Sequence, residues 1–407
     1  MRILIVHQYF NTPETGGPLR SYYLAQGLQS GGHEVEIITA HNQATSEVKT
    51  IDGITVHYLP VFYENRLGFL RRLMAFLKFA VLAYSKALQL PTADLCYAMS
   101  TPLTVGWVAK RLKQVKGVPF IFEVGDLWPE APVQMGVIKF SPLISWLRKF
   151  EQSIYQGAES IVALSPGIKE GILRSNPESK VSVIPNMSDC KFYQRELKNP
   201  VWENSLGVTG KTVVTYFGAA GRANHLEYYI EAAKAASKIC TDLHFLVVAA
   251  GSELSRLKVM AASYKLNNIE FLPYCKRDNL KKILNVTDIV YVSYADVPIL
   301  STGSPNKYFD ALAAGKLMLV NFNGWLRDIT EKHELGYYVD PKRPEMLVEK
   351  LTPLMTTPEL LIKSQKNARM IAETFFSRGL ATQKLLGMVG HDHSDISKVP
   401  EAYILTA

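Results

Sequence analysis

A chain of 407 residues is too long for one ordinary core and implies two domains, or three. Hydrophobic residues at 47% and charged residues at 20% match a folded soluble protein and exclude globally disordered, collagen-like and coiled-coil classes. The 45 basic against 37 acidic residues leave a net charge of +8, which asks for an anionic partner: a nucleic acid, an acidic lipid surface or a phosphorylated ligand. Four cysteines, Cys96, Cys190, Cys240 and Cys275, form no C-x-x-C pair and sit near no histidine at metal spacing. Reduced, inert thiols in a cytosolic protein are expected.

The chain opens with the apolar run Ile3-Leu4-Ile5-Val6, which His7-Gln8 ends well short of a signal-peptide core. It reads as a first strand of a protein that is not exported. Strand patterns follow at residues 35–39, 55–59, 95–98, 120–123, 160–163 and 181–184, with helical patterns at 17–30, 103–115 and 143–155. Residues 188–210 are polar and poorly periodic and read as a linker with the lead-in to a second sheet. Strands then resume at 212–217, 244–249, 269–272, 289–293 and 318–321, alternating with helices at about 224–239, 253–265, 277–285 and 305–314. Strands joined by helices predict parallel βαβ units, so the expected fold is α/β, with two doubly wound Rossmann-like domains facing across a cleft. The boundaries expected are 1–189 and 190–386, with the last helix a candidate to return to the first domain and 387–407 as a loose tail.

Parallel sheets bind ligands beyond the carboxyl ends of their strands, so the loops there carry the chemistry. After the first strand, His7-Gln8-Tyr9-Phe10 leads to Pro13-Glu14-Thr15-Gly16-Gly17 at a helix start. Gly16 and Gly17 would let backbone N–H groups approach a phosphate, although an ordinary turn would use them as well. In the second half Tyr216-Phe217-Gly218-Ala219-Ala220-Gly221-Arg222 repeats the pattern, with an arginine fork suited to diphosphate oxygens or simply exposed. A third loop, Thr302-Gly303-Ser304-Pro305-Asn306-Lys307, enters a helix carrying Asp310. Lys307 and Asp310 could hold phosphate and ribose, or only each other as a surface ion pair.

These stretches, with Gly32-His33-Glu34-Val35, Asp126-Leu127-Trp128-Pro129-Glu130, Val183-Ile184-Pro185-Asn186 and the run ending at Gly315-Lys316, resemble a GT-B glycosyltransferase of family 4 over roughly residues 1 to 340. The likeness is nearest to the bacterial O-antigen and capsule branch that includes fucosamine transferases. It implies a hexosyltransferase-type enzyme that retains anomeric configuration, uses no metal or other cofactor, holds a nucleotide-sugar donor (UDP-sugar) mainly on the second domain and takes its acceptor on the first. Carried over by position, Gly16, Gly17, Gly221, Arg222, Asn306 and Lys307 would face the donor diphosphate. Thr302, Gly303, Ser304 and Pro305 would face the donor sugar, and Asp310 the ribose. Thr302 stands where the family has the first acid of a glutamate pair, and Ala219 and Asn224 occupy places where an arginine and a lysine are usual.

Breaking a sugar–phosphate bond builds negative charge on the leaving diphosphate, and no D-x-D metal motif is present. Arg222, Lys307 and helix amino termini would supply the compensating field. Asp126 is the first choice for an active-site acid of the first domain and Glu130 the second. Asp126 would equally serve as a turn or helix cap.

Residues 61–90 hold five basic side chains, Arg66, Arg71, Arg72, Lys78 and Lys86, against one acid, Glu64. At about 100° per residue, Arg71, Arg72, Lys78 and Lys86 share about a third of a helix circumference, with large apolar residues over much of the rest. That pattern suits a helix lying on an anionic bilayer without crossing it, or a core helix with a solvated basic edge. The first alternative predicts a peripheral protein on the inner face of the plasma membrane, acting on a polyprenyl-diphosphate-linked glycan. A nucleotide-sugar epimerase or hydrolase would fit the same two domains. A non-enzymatic anion binder rests on charge alone, and no nucleic-acid partner is expected because no stacking-aromatic, zinc or helix-turn-helix pattern accompanies the basic residues.

Overall fold

The computed structural model describes residues 1–64 and 67–390, so Arg66 and most of the expected tail lie outside the described residues. The chain divides into two compact units. Of the described residues, the first contains 1–185, 302–304 and 379–390, and the second contains 186–301 and 305–378.

Elements of the first unit are β1 (Arg2–Val6), α1 (Arg20–Ser30), β2 (Glu34–His41), β3 (Glu47–Ile51), β4 (Ile54–Pro60), α2 (Phe69–Gln89), β5 (Leu95–Met99), α3 (Thr104–Lys116), β6 (Phe120–Val124), α4 (Glu130–Gln134), α5 (Ser141–Gly157), β7 (Ser160–Ala163), α6 (Pro166–Ser175) and β8 (Val181–Val183). The sheet runs β3-β4-β2-β1-β5-β6-β7-β8. Every pairing is parallel except β3 with β4. β5 and β6 are buried along their whole length because helices cover a parallel sheet on both faces, and they read as unbroken apolar runs for that reason.

The hairpin strand β3 is an addition to the expected pattern. It is an edge strand bearing Glu47 and Lys49, almost wholly exposed, so it has no apolar alternation to announce it. Its signal is the Asp52-Gly53 turn, with φ of 48° and 82°, the left-handed pair that a two-residue hairpin needs.

The second unit holds α7 (Pro200–Ser205), β9 (Thr212–Ala219), α8 (Glu227–Ile239), β10 (Leu243–Ala250), α9 (Leu254–Ser263), β11 (Ile269–Leu272), α10 (Arg277–Val286), β12 (Ile289–Val292), α11 (Asn306–Ala313), β13 (Leu317–Val320), α12 (Trp325–Lys332), β14 (Gly336–Tyr338), α13 (Glu345–Thr356) and α14 (Pro358–Phe375). Its sheet is parallel throughout, in the order β11-β10-β9-β12-β13-β14. The two Rossmann-like α/β folds with parallel sheets are as the alternation of strands and helices predicts.

Two expectations need correction. Residues 188–210 are packed structure and no linker: the Ser188 N–H donates to the Phe376 carbonyl at 2.7 Å, Tyr193 is buried, and Asn199 caps α7. Buried Asp189 accepts from Arg277 at 2.6 Å and pairs with Arg378 at 3.1 Å. Polar and aromatic contacts of this kind have no periodicity, which is why the stretch reads as loose. The tail also begins later than residue 387, because α15 (Arg378–Val389) continues through it with Leu385, Met388 and Val389 buried. α15 lies on α1, where a Cβ at Gly27 or Gly31 would collide with Thr382 or Leu386.

Candidate functional site

In the second unit the side chain that organises the site is Lys307, in the first turn of α11. Its ammonium donates to the Tyr216 hydroxyl at 2.7 Å and stands 4.0 Å from the centre of that ring. Tyr216 is fully buried within β9, and its hydroxyl donates onward to the Ala219 carbonyl at 2.5 Å, at the last residue of that strand. The lysine is thereby tied to the carboxyl end of β9. Gly218 has φ of 123°, and a Cβ there would sit 3.3 Å from Lys307 Cε, so both backbone conformation and close approach call for glycine. Lys307 has no carboxylate partner among the described residues, and desolvation pushes its pKa down to about 7. A cation held partly out of water without a counter-charge is a candidate anion site.

Asp310 lies one turn further along α11. Desolvation pushes its pKa up to about 7, with the Arg277 guanidinium pulling it down and Asp189 pushing it up. Its carboxylate makes no hydrogen bond or ion pair among the described residues, so Lys307 and Asp310 do not pair with each other, and the surface-ion-pair alternative falls away.

Gly221 and Arg222 sit differently from expectation. α8 begins at Glu227, and a separate turn closed by Asn224 N–H to Gly221 carbonyl at 3.0 Å intervenes, so the helix terminus does not directly follow the glycines. Arg222 extends into solvent, 90% exposed, with Glu253 at 4.0 Å. Asn224 is occupied structurally, since Ser293 donates to its carbonyl at 2.6 Å. Asn306 is exposed and opens α11 behind Pro305, leaving the first N–H groups of that helix available. Thr302, Gly303 and Ser304 group with the first unit, where Ser165 donates to the Thr302 carbonyl at 2.5 Å.

In the first unit Gly16 and Gly17 both adopt positive φ, 74° and 91°, in the loop before α1. A Cβ at Gly16 would meet nothing, so that side of the loop is open. Asp126 follows β6 on an exposed loop, and the protein around it displaces enough water to raise its pKa. Glu130 is committed elsewhere: Arg148 of α5 donates to it at 2.6 and 2.8 Å, an ion pair that ties α4 to α5. On α2, Arg71, Arg72 and Lys78 are exposed and Lys86 half-buried. Phe76, Phe79, Ala80 and Ala83 pack inward, while Leu70, Met74, Leu77 and Val81 form an exposed apolar stripe beside the basic residues. No described helix is long and apolar enough to cross a membrane.

Several residues of consequence carry no motif. Arg20 of α1 is buried and binds Glu123 through two nitrogens at 2.8 and 2.9 Å, and the carbonyls of Ile184 and Pro185 at 2.8 and 2.6 Å. Tyr97 donates to the same carboxylate. Desolvation pushes the neighbouring His7 down to about 4, with Glu123 raising and Arg20 lowering it. Tyr216 and Gly218 stand inside the quoted glycine loop and could have been singled out there. Gly251 could not: its missing Cβ would strike the Ala220 backbone, so it lets β10 close against the turn.

Residues 15–187 match the glycosyl transferase 4-like domain family, and residues 200–371 match the glycosyl transferases group 1 family. A putative colanic acid biosynthesis glycosyl transferase, WcaI, of Escherichia coli is 23% identical over 389 residues, covering 88% of this chain and 93% of the relative. Among solved structures, sucrose-phosphate synthase of Thermosynechococcus elongatus superposes with a TM-score of 0.76 at 16% identity, covering 96% of this chain and 98% of that one. HepE of Anabaena, solved in complex with UDP-glucose, gives 0.69 at 16% identity, covering 96% of this chain and all of the other.

Proposed function

For a chain that is a glycosyltransferase of the GT-B type, with a glycosyl transferase 4-like domain followed by a group 1 domain and a relative in polysaccharide biosynthesis, we propose that it moves a sugar from a UDP-sugar to a polyprenyl-diphosphate-linked glycan, with retention and without a metal. The observation that carries the donor half is Lys307, uncompensated, fixed by Tyr216 beside Gly218 at the end of β9, where conformation and close approach call for glycine. A diphosphate placed there would accept from Lys307 and from the first N–H groups of α11, with Arg222 free to swing onto it from solvent. Asp310 would accept from ribose hydroxyls.

In the reaction the bond from sugar C1 to the diphosphate oxygen breaks, and its electron pair leaves with UDP. The acceptor hydroxyl oxygen forms the new bond to C1, and its proton passes to the departing phosphate oxygen. Lys307 and Arg222 stabilise the charge that grows on that oxygen, a fixed field worth more than mobile solvent. Among the described residues no cluster of three or more histidine, cysteine or acidic side chains could hold a metal ion. Asp126 is the candidate on the first unit to stabilise positive charge on the sugar. The stripe and basic flank of α2 support peripheral attachment to the inner face of the plasma membrane, which would present the lipid-linked acceptor. The branch resemblance supports an N-acetylated deoxy or amino sugar and an O-antigen or capsule product.

The test is product analysis with radiolabelled UDP-sugars, with and without a lipid extract containing polyprenyl-diphosphate glycans. Label moving into the lipid phase with equimolar UDP release is the expected result. UDP release or an epimerised sugar at equal rate without acceptor would overturn the transferase reading in favour of a hydrolase or epimerase.

A further inference from the structure

α5 presents a second apolar surface that the reading above does not use. Phe140, 67% exposed, Leu143 and Trp146, 59% exposed, recur every third residue along its start, with exposed Val137 just before them. The Trp146 ring lies flat on Phe150, centroids 5.6 Å apart and planes at 1°, so the indole is held rigidly at the surface. Residues 137–150 contain Lys139, Arg148 and Lys149 and no acid. Arg148 is paired with Glu130, but Lys139 and Lys149 are exposed and have no carboxylate partner among the described residues.

This surface shares a side of the first unit with α2. The strands β4, β5, β6 and β7 are joined through α2, α3 and α5, and the sheet order advances in one direction from β4 through β5 and β6 to β7. Right-handed crossovers therefore place all three helices on one face. α3 packs against both α2 and α5, and its exposed Arg111 lies on the same layer.

We propose that Phe140, Leu143 and Trp146 insert into the headgroup region of an anionic bilayer, so that the first unit attaches through two helices, α2 and α5. This rests on the peripheral-membrane reading and extends it to a second element. A rigid indole flanked by lysines suits the boundary between acyl chains and headgroups, where its ring is buried and its N–H stays hydrated. Unpaired lysines around the aromatic residues complement anionic lipid, whereas a second copy of the chain would bring two basic surfaces together without compensation.

Flotation with phosphatidylcholine vesicles, with and without phosphatidylglycerol, tests the proposal on three proteins: wild type, F140S/W146S and R71E/R72E/K78E. The changed residues are exposed, and thermal melting checks that each variant folds. The expected result is that F140S/W146S floats about tenfold less well than wild type on the anionic vesicles. Brominated acyl chains should also quench wild-type tryptophan fluorescence, and W146F should lose that quenching. If F140S/W146S floats like wild type while R71E/R72E/K78E does not float, α2 alone holds the membrane and the α5 proposal is overturned. If wild type does not float, both readings fall. A dimer that F140S/W146S dissociates would make the patch a contact between copies and would also overturn it.

Discussion

The molecule treats charge drawn out of water in two opposite ways. In the first unit Arg20 and Glu123 are both buried, yet every strong donor and acceptor is met: two Arg–carboxylate bonds, Tyr97 on the carboxylate, and two backbone carbonyls on the guanidinium. In the second unit Lys307 has one tyrosine hydroxyl, and the Asp310 carboxylate has no bonded partner among the described residues. The satisfied pair holds β6 and the end of the first unit to α1. Lys307 and Asp310 carry a desolvation cost that no charged partner among the described residues offsets, and that is the ground on which they are proposed as ligand groups.

The sharpest way to break the comparison is Arg20→Ala, which strands the Glu123 charge in the core. A loss of about 3–5 kcal/mol in unfolding free energy is expected, read by chemical denaturation. A loss under about 1 kcal/mol, the size of a surface pair, would show the cluster is no keystone. Lys307→Met should do the reverse: stability unchanged or improved, with kcat for sugar transfer down about 10²–10³-fold, as for removal of one fixed donor to a developing anion. Asp310→Asn should weaken UDP binding about tenfold by calorimetry, the scale of one charged hydrogen bond. Full retention of affinity would remove Asp310 from the ribose.

The contrast extends to the pH dependence of stability. Asp310 holds its proton in the fold up to about 7, against an ordinary value of 3.8, so the folded state binds more protons between those values and stability falls as pH rises through them. Lys307 releases its proton in the fold at about 7 against 10.5, so the unfolded state binds more protons there and stability rises from 7 to 10.5. In denaturation curves across pH, Asp310→Asn should flatten the first slope and Lys307→Met the second. Unchanged slopes would mean that these groups are as solvated as surface ones.

Much of the candidate site was legible in the sequence, because glycines after a strand, a lysine in the first turn of a helix and an acid one turn on are the local marks that phosphate chemistry would leave. Gly16, Gly17, Lys307 and Asp310 were reached that way. The sequence shows Arg222 at a turn, and only the structure shows that it points into solvent. Glu130 illustrates the same limit: its motif suggests an acid, and only the approach of α5 shows that Arg148 already holds it. Arg20, Glu123 and Tyr97 lie on three elements up to 103 residues apart. No spacing rule connects them.

The sequence by itself determined the alternation of strands and helices, and with it two parallel sheets, because buried parallel strands must be apolar runs and the helices between them must be amphipathic. It also determined that α2 is basic on one edge. Only the tertiary structure decided which apolar residues of α2 face the core and which, with Phe140 and Trp146, stay in water. Hydrophobic periodicity records that a face is apolar, while burial depends on what the sheet and neighbouring helices bring against it. The same holds for charge: composition counts Lys307 and Arg20 alike, and only their surroundings distinguish a cation already satisfied from one left open.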